Sequence, residues 1–240
     1  MKKAPLVILH GWGLSAERFA PLAAEFERLG YKTYAPDLPG FGKSQIPKNP
    51  LTLSDYASFL FSFFKSNKIS NPILVGHSFG GRVALRFNQL YPNSVRALIL
   101  TGTPGFTPIP KKRLMVFIAL AKIGNLLFSI PPLSLFQDQV RRWYYYVVGA
   151  KEFFRAEGAM RETFKHIVGE DLVHSMESIS IPTLLLWGEL DIIVPPSIAE
   201  RMHRVIERSE LVIIADADHG VPFKEPQRFV PYVQRFLESL

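Results

Sequence analysis

The chain is predicted to fold as an α/β domain, a mostly parallel sheet flanked by helices and interrupted by a helical insertion. Three observations predict this. Short, continuously apolar runs alternate with longer helical patterns through residues 5–101, and a strand apolar on both sides is one covered on both faces. The alternation stops after Gly102 and resumes at Thr183. The length, 240 residues, suits one domain with its own core and no covalent staples.

Leu6-Val7-Ile8-Leu9 reads as the first buried strand. A helix is expected from Pro21, since proline suits a first helical position, to just before Gly30. Tyr31 to Ala35 reads as a strand, and residues 36–50 as a loop rich in proline and glycine. Ser54 to Lys68 repeats Tyr56, Phe59, Leu60, Phe63 and Phe64 at helical spacing, with Thr52 or Ser54 as the cap. Ile73 to Val75 is a strand, Phe79 to Tyr91 a helix and Val95 to Thr101 a strand. Such a rhythm means βαβ units with right-handed crossovers.

From Pro104 to Ser178 no strand is evident, only helical patterns punctuated by Pro108, Pro110, Pro131, Pro132 and Gly149. Then follow a strand at Thr183 to Trp187, a helix near Pro196 to Glu207, a strand at Leu211 to Ile214 and a last helix near Pro226 to Leu240. The expected organisation is a core of residues 1–103 and 179–240 with an insertion at 104–178.

Composition excludes several classes. Apolar residues are 48% and charged residues 20%, a globular profile rather than a disordered one. Cysteine is absent, which removes disulfides, thiolate catalysis and cysteine-bound metal. A cytoplasmic location is expected, because the apolar run after Met1-Lys2-Lys3 is too short for a signal peptide. No apolar stretch reaches the roughly 18 residues that a spanning helix needs, so no transmembrane segment is expected. The formal charge of +7 is unevenly placed: ten Lys and Arg face four Asp and Glu between Lys111 and Lys165. A basic insertion on a near-neutral body does not read as a nucleic-acid binder.

Gly76-His77-Ser78-Phe79-Gly80 sits between an apolar strand and a helix. That is the setting in which a serine occupies a tight strand-to-helix turn, its hydroxyl exposed over a helix N-terminus. Ser78 is therefore the candidate nucleophile. A hydroxyl needs a base, and the base an orienting acid. Of six histidines, His166, His174 and His203 read as surface residues and His10 as a loop former. His77 adjoins the serine, so its ring points away from the hydroxyl. His219, in Asp216-Ala217-Asp218-His219-Gly220, follows the last strand at the sheet edge where α/β ligands gather. Asp191, two residues beyond Glu189 in the loop after Trp187, fits best as the acid, with Asp218 or Glu189 as alternatives. The backbone N–H groups of Trp12 and Phe79 are the expected oxyanion donors. Gly11, Trp12 and His77 are expected to border the substrate. No metal and no cofactor is expected.

His10-Gly11-Trp12-Gly13, the segment Asp37 to Ser44, Gly76 to Gly81, Trp187 to Pro195 and Asp218-His219-Gly220 occur in this order. Together they resemble the α/β-hydrolases of the small esterase, lipase and C–C hydrolase group, across the whole expected core. The resemblance implies a lid at 104–178, a Ser78, Asp191, His219 triad and the two backbone donors. Serine at 78 speaks against dehalogenases and epoxide hydrolases, which carry aspartate there. The first loop and the basic lid are also similar to those of the carboxylesterases that demethylate a pimeloyl-acyl-carrier-protein ester. By that likeness Arg141, Arg142, Lys151, Arg155, Arg161 and Lys165 would hold an acidic acyl carrier protein.

Two lid segments have double readings. Lys111-Lys112-Arg113 before Leu114 to Ala121 resembles a membrane-surface helix, but lining an apolar pocket is the favoured reading. Arg141-Arg142-Trp143-Tyr144-Tyr145-Tyr146 is read as packing of the lid rather than nucleic-acid binding. The expected activity is hydrolysis of a small-molecule carboxylic ester through an acyl-enzyme. A C–C bond hydrolase, a perhydrolase and a non-catalytic receptor remain as alternatives, and oligomeric state is left open.

Overall fold

The computed structural model describes residues 3–106 and 157–240. The run Lys111 to Ala121, the prolines and glycine that punctuate the insertion up to Gly149, the cluster Arg141 to Tyr146, Lys151 and Arg155 lie outside the described residues.

Six strands form one parallel sheet: β1 (Leu6–Leu9), β2 (Thr33–Tyr34), β3 (Ile73–His77), β4 (Ala97–Thr101), β5 (Thr183–Gly188) and β6 (Ser209–Ile214). Their spatial order is β2-β1-β3-β4-β5-β6, every neighbouring pair parallel. The chain therefore runs outward from β1 to β2 and then returns past β1 to β3. That reversal places a crevice at the carboxyl ends of β1 and β3, where open α/β sheets bind ligands.

Strand periodicity divides the core in two. Leu6, Ile8, Ile73, Val75, Ala97, Ile99, Leu184 and Leu186 pack on one face. They meet α1 (Ala20–Arg28), α7 (Val221–Lys224) and α8 (Pro226–Glu238), the last through Phe229, Val233 and Phe236. Val7, Leu9, Leu74, Leu98, Leu100, Leu185 and Trp187 face the other way. They meet α2 (Leu53–Ser66), α3 (Phe79–Leu90) and α6 (Pro196–Val205). Alternate residues of a strand point to opposite faces, so continuous apolar runs are what a sheet buried on both sides requires. No helix among the described residues is long and apolar enough to cross a membrane.

The predicted elements are present, with shifts that have local causes. Helix α2 begins one residue before Ser54 because Thr52 is the cap: its hydroxyl accepts the Asp55 N–H at 3.3 Å and the Asp55 carboxylate accepts the Thr52 N–H at 2.7 Å. Strand β2 is shorter than expected, since the Tyr31 N–H closes the preceding helix on Phe26 O at 3.0 Å. Strand β6 starts earlier than its apolar run, at Ser209, because an edge strand tolerates polar side chains. A 3₁₀ turn at Ala16–Phe19 and the short α7 were not anticipated.

Strands β4 and β5 are sheet neighbours, so the chain leaves and re-enters the core at adjacent positions. Of the expected insertion, α4 (Gly158–Gly169) and α5 (Val173–Glu177) are described. Arg82, on α3, is 2% exposed. Its guanidinium donates to the carbonyls of Pro104, Ile167 (2.6 Å) and Glu170. Beside it Arg86 pairs with the Glu170 carboxylate. Burial pushes the Arg82 pKa down to about 10, opposed by Glu170 and Asp171, so the group stays cationic at neutral pH. One side chain thus ties the outgoing stem to the returning one. Arg82→Met would leave one buried and two partly buried carbonyls without this donor and is expected to lower unfolding free energy by about 3 kcal/mol. Urea denaturation reads this, and an unchanged midpoint would show that the stems are held by other contacts.

Candidate active site

Ser78 caps α3 with φ 52° and ψ −113°, a left-handed conformation that costs a non-glycine residue about 1–3 kcal/mol. The sheet holds it there. Its N–H donates to Thr101 O at 2.9 Å, and its carbonyl accepts from Gly81 N–H at 3.0 Å. Gly80 is required by close approach: a Cβ at that position would fall on the Leu9 carbonyl at the end of β1. The turn therefore seats directly on the strand that leads to the Trp12 loop, and Ser78 itself is half-buried.

Across the crevice, two loops from the far half of the sheet come together. Asp191, with 1% of its side chain exposed, faces His219 Nδ1 through Oδ2 at 2.7 Å. Its Oδ1 accepts the N–H groups of Ile193 and Val194 at 2.9 and 2.8 Å. The carboxylate accepts, so Nδ1 carries the proton and Nε2 of the neutral ring keeps a lone pair. The acid loop is stitched to its surroundings: Trp187 Nε1–H donates to Val194 O at 2.8 Å, and Leu190 N–H to Ala217 O at 2.8 Å. The alternative acids face elsewhere. Asp218 pairs with Lys224, which holds its carboxyl below the usual range despite burial, and Glu189 accepts the Asp216 N–H at 3.1 Å.

Ser78 and His219 share this crevice. Gly102, one residue past the Thr101 carbonyl that Ser78 uses, has φ +56°, and a Cβ on it would lie 2.5 Å from His219 Cε1 and 3.4 Å from Asp191 Oδ2. Among the described residues no hydrogen bond joins the Ser78 hydroxyl to the His219 ring, and catalytic hydrogen bonds often tighten only once substrate is bound.

On the other side lies the loop after β1. Among the described residues, neither the Trp12 N–H nor the Phe79 N–H donates to another protein group, and Phe79 opens a helix whose first N–H groups have no internal acceptor. Trp12 is half-buried, its ring edge-on to Phe41, Phe79 and Phe164 at 4.8, 5.4 and 5.0 Å. These rings make an apolar wall beside Ser78, with Phe164 supplied by α4. Beneath it His10 is buried: Nδ1–H donates to Gly11 O at 2.8 Å and Nε2 accepts the Leu38 N–H at 3.0 Å. Desolvation lowers its pKa, so it serves as a neutral brace. Asp37 fastens the neighbouring loop by accepting Ala16 and Lys43 N–H groups at 2.7 and 2.9 Å.

The remaining histidines lie elsewhere. His166, His174 and His203 are exposed. His77 is 2% exposed and enclosed by Phe19, Phe223 and His219. Sequence reasoning missed Gly102, whose only signal was a glycine following an apolar strand, and it missed that Arg82 holds the insertion stems. Gly102→Ala is expected to displace the imidazole and cost about 1 kcal/mol for the left-handed backbone. Loss of the low-field His219 Nδ1 proton resonance would register the displacement. An unshifted resonance would show that the ring has room.

The matches to known proteins follow the same lines. A model of the alpha/beta hydrolase family matches residues 6–231. A 2-hydroxy-6-oxononadienedioate/2-hydroxy-6-oxononatrienedioate hydrolase of Klebsiella pneumoniae is 30% identical over 256 residues, 98% of this chain and 87% of its own. Lipase 3 of a Moraxella species is 26% identical over 241 residues, covering 92% and 73% of the two chains. An esterase structure from Exiguobacterium antarcticum superposes with a TM-score of 0.75 at 23% identity, over 99% of this chain and 92% of that one. A parallel sheet with its crevice at β1 and β3, a strained serine at that crevice and a family match running through nearly the whole chain lead to one conclusion: this chain belongs to the alpha/beta hydrolase family.

Proposed function

We propose that the protein is a serine hydrolase that cleaves carboxylic esters through an acyl-enzyme, with Ser78 as nucleophile, His219 as base and Asp191 as orienting acid. The observation that carries this reading is the 2.7 Å contact of His219 Nδ1 with a buried Asp191, on the crevice that also holds the strained Ser78 turn. The lipase relative supports the ester-cleaving form of the reading.

In the first step His219 Nε2 takes the Ser78 proton as Oγ attacks the ester carbonyl. Asp191 holds the ring through Nδ1–H and stabilises the imidazolium that forms. The N–H groups of Phe79 and Trp12 receive the oxyanion, each contributing on the order of a hundredfold or more in rate. His219 then protonates the departing alkoxide. Water, deprotonated by the same ring, attacks the acyl-enzyme and releases the acid. The aromatic wall of Trp12, Phe41, Phe79 and Phe164 suits an apolar acyl chain. The chemistry uses no metal or cofactor, and a cytoplasmic location accompanies this reading.

A second reading has its own support. The relative of 30% identity is by name a 2-hydroxy-6-oxononadienedioate/2-hydroxy-6-oxononatrienedioate hydrolase, and the same three residues would serve C–C bond hydrolysis of a vinylogous diketone. The idea of an ester carried on an acidic carrier protein rests on the basic insertion. Of the six cations expected to hold the carrier, Arg161 and Lys165 are on described residues, and Lys165 is engaged with Glu162 at 2.7 Å.

Ser78→Ala is expected to lower kcat on p-nitrophenyl butyrate by about 10⁶-fold with the fold retained, and Asp191→Asn by about 10⁴-fold. Asp218→Asn should stay close to the wild-type rate, and a larger loss there than at Asp191 would reassign the acid. A panel of esters of graded acyl length, run beside a carrier-linked methyl ester and a 2-hydroxy-6-oxodienoate, decides the substrate class. Turnover confined to the dienoate would replace the esterase reading with the C–C hydrolase one.

A further inference from the structure

His77 ends β3, one residue before Ser78, and takes no part in the chemistry above. Its ring is nevertheless where three loops meet. Nε2–H donates to the main-chain carbonyl of His219 at 2.9 Å. The ring lies 4.7 Å from the His219 ring and 5.5 Å from both Phe19 and Phe223. On its remaining side, a Cβ added to Gly11 would stand 2.8 Å from His77 Nδ1. A single buried side chain therefore touches the loop of the base and the loop of the Trp12 N–H while its own backbone leads into Ser78.

The arrangement has a cost. Among the described residues His77 Nδ1 is buried with no hydrogen-bond partner, and an unpaired buried acceptor is worth about 1–3 kcal/mol against stability. A phenyl ring would fill the same space without that cost, but it could not hold the His219 carbonyl. We infer that His77 is a positioning residue, fixing through its Nε2–H bond the distance between His219 and Ser78; this rests on the reading of His219 as the base. Burial, followed by the charges of His219 and His10, pushes the His77 pKa down to about 3. Those two rings, with Asp191 behind His219, are the titratable groups facing it. A neutral ring keeps one N–H for the carbonyl and adds no positive charge beside His219 when that ring is protonated during turnover.

The test compares His77→Phe and His77→Gln in the full chain. The readouts are ester kinetics, fluorophosphonate labelling of Ser78 across pH and urea unfolding. His77→Phe should remain folded, lower kcat and labelling rate on the order of 10- to 100-fold with KM within about twofold, and move the pH midpoint of labelling. His77→Gln, whose amide N–H can reach the same carbonyl, should recover most of the rate. Wild-type labelling by His77→Phe with an unmoved midpoint would overturn the inference. Should His77→Phe fail to fold, the imidazole ¹⁵N spectrum of the wild-type protein at pH 6 decides: a neutral His77 ring with its proton on Nε2 supports the role, and a charged ring or a proton on Nδ1 overturns it. Wild-type labelling by His219→Ala would instead remove His219 as the base, a failure of the functional reading that the His77 variants would not produce.

Discussion

A serine held at φ 52° between a strand and a helix is unstable by itself, and the architecture around it reads as the means of keeping it there. Parallel pairing of β3 with β4 supplies the Thr101 carbonyl that fixes the Ser78 N–H. The helix that follows supplies two N–H groups for its carbonyl, and the absence of a side chain at Gly80 lets the turn press on the end of β1. Strain of this kind persists only where packing over-determines it. Here the determining contacts come from the apolar faces of the central strands, which are almost wholly enclosed.

The same crevice sorts its ionisable groups by environment. His10 and His77 are desolvated, neutral and bound to main-chain groups, so they act as struts. His219 is less enclosed and meets a carboxylate whose other oxygen already holds two N–H groups. Burial and partner alone thus set three side chains of the same chemistry in different surroundings. Asp218, one residue before His219, is paired instead with Lys224.

Much of this was legible in the sequence because its signals were local. Continuous apolar runs identified the core strands, and glycines flanking Ser78 identified the turn. Thr52, one of the two candidate caps, does cap α2. What escaped depended on contacts distant in the chain. Gly102 matters because a ring more than a hundred residues away fills the space a side chain would take. Nothing near Arg82 in sequence shows that carbonyls of residues 104, 167 and 170 converge on it. The edge strands were misjudged in length for a related reason: with one neighbour only, their ends are set by pairing rather than by hydrophobicity.

The Arg82 contact also bears on how such a chain can change over time. Because the insertion departs from β4, returns to β5 and has both stems fastened at one guanidinium, its two ends are closed on each other before the residues between them contribute anything. Replacing the intervening segment with a longer one then adds chiefly loop-closure entropy, about 0.6 kcal/mol for each doubling of length. The two stems are in effect mounted on the core, so the length between them can change without the sheet having to be rebuilt around the serine.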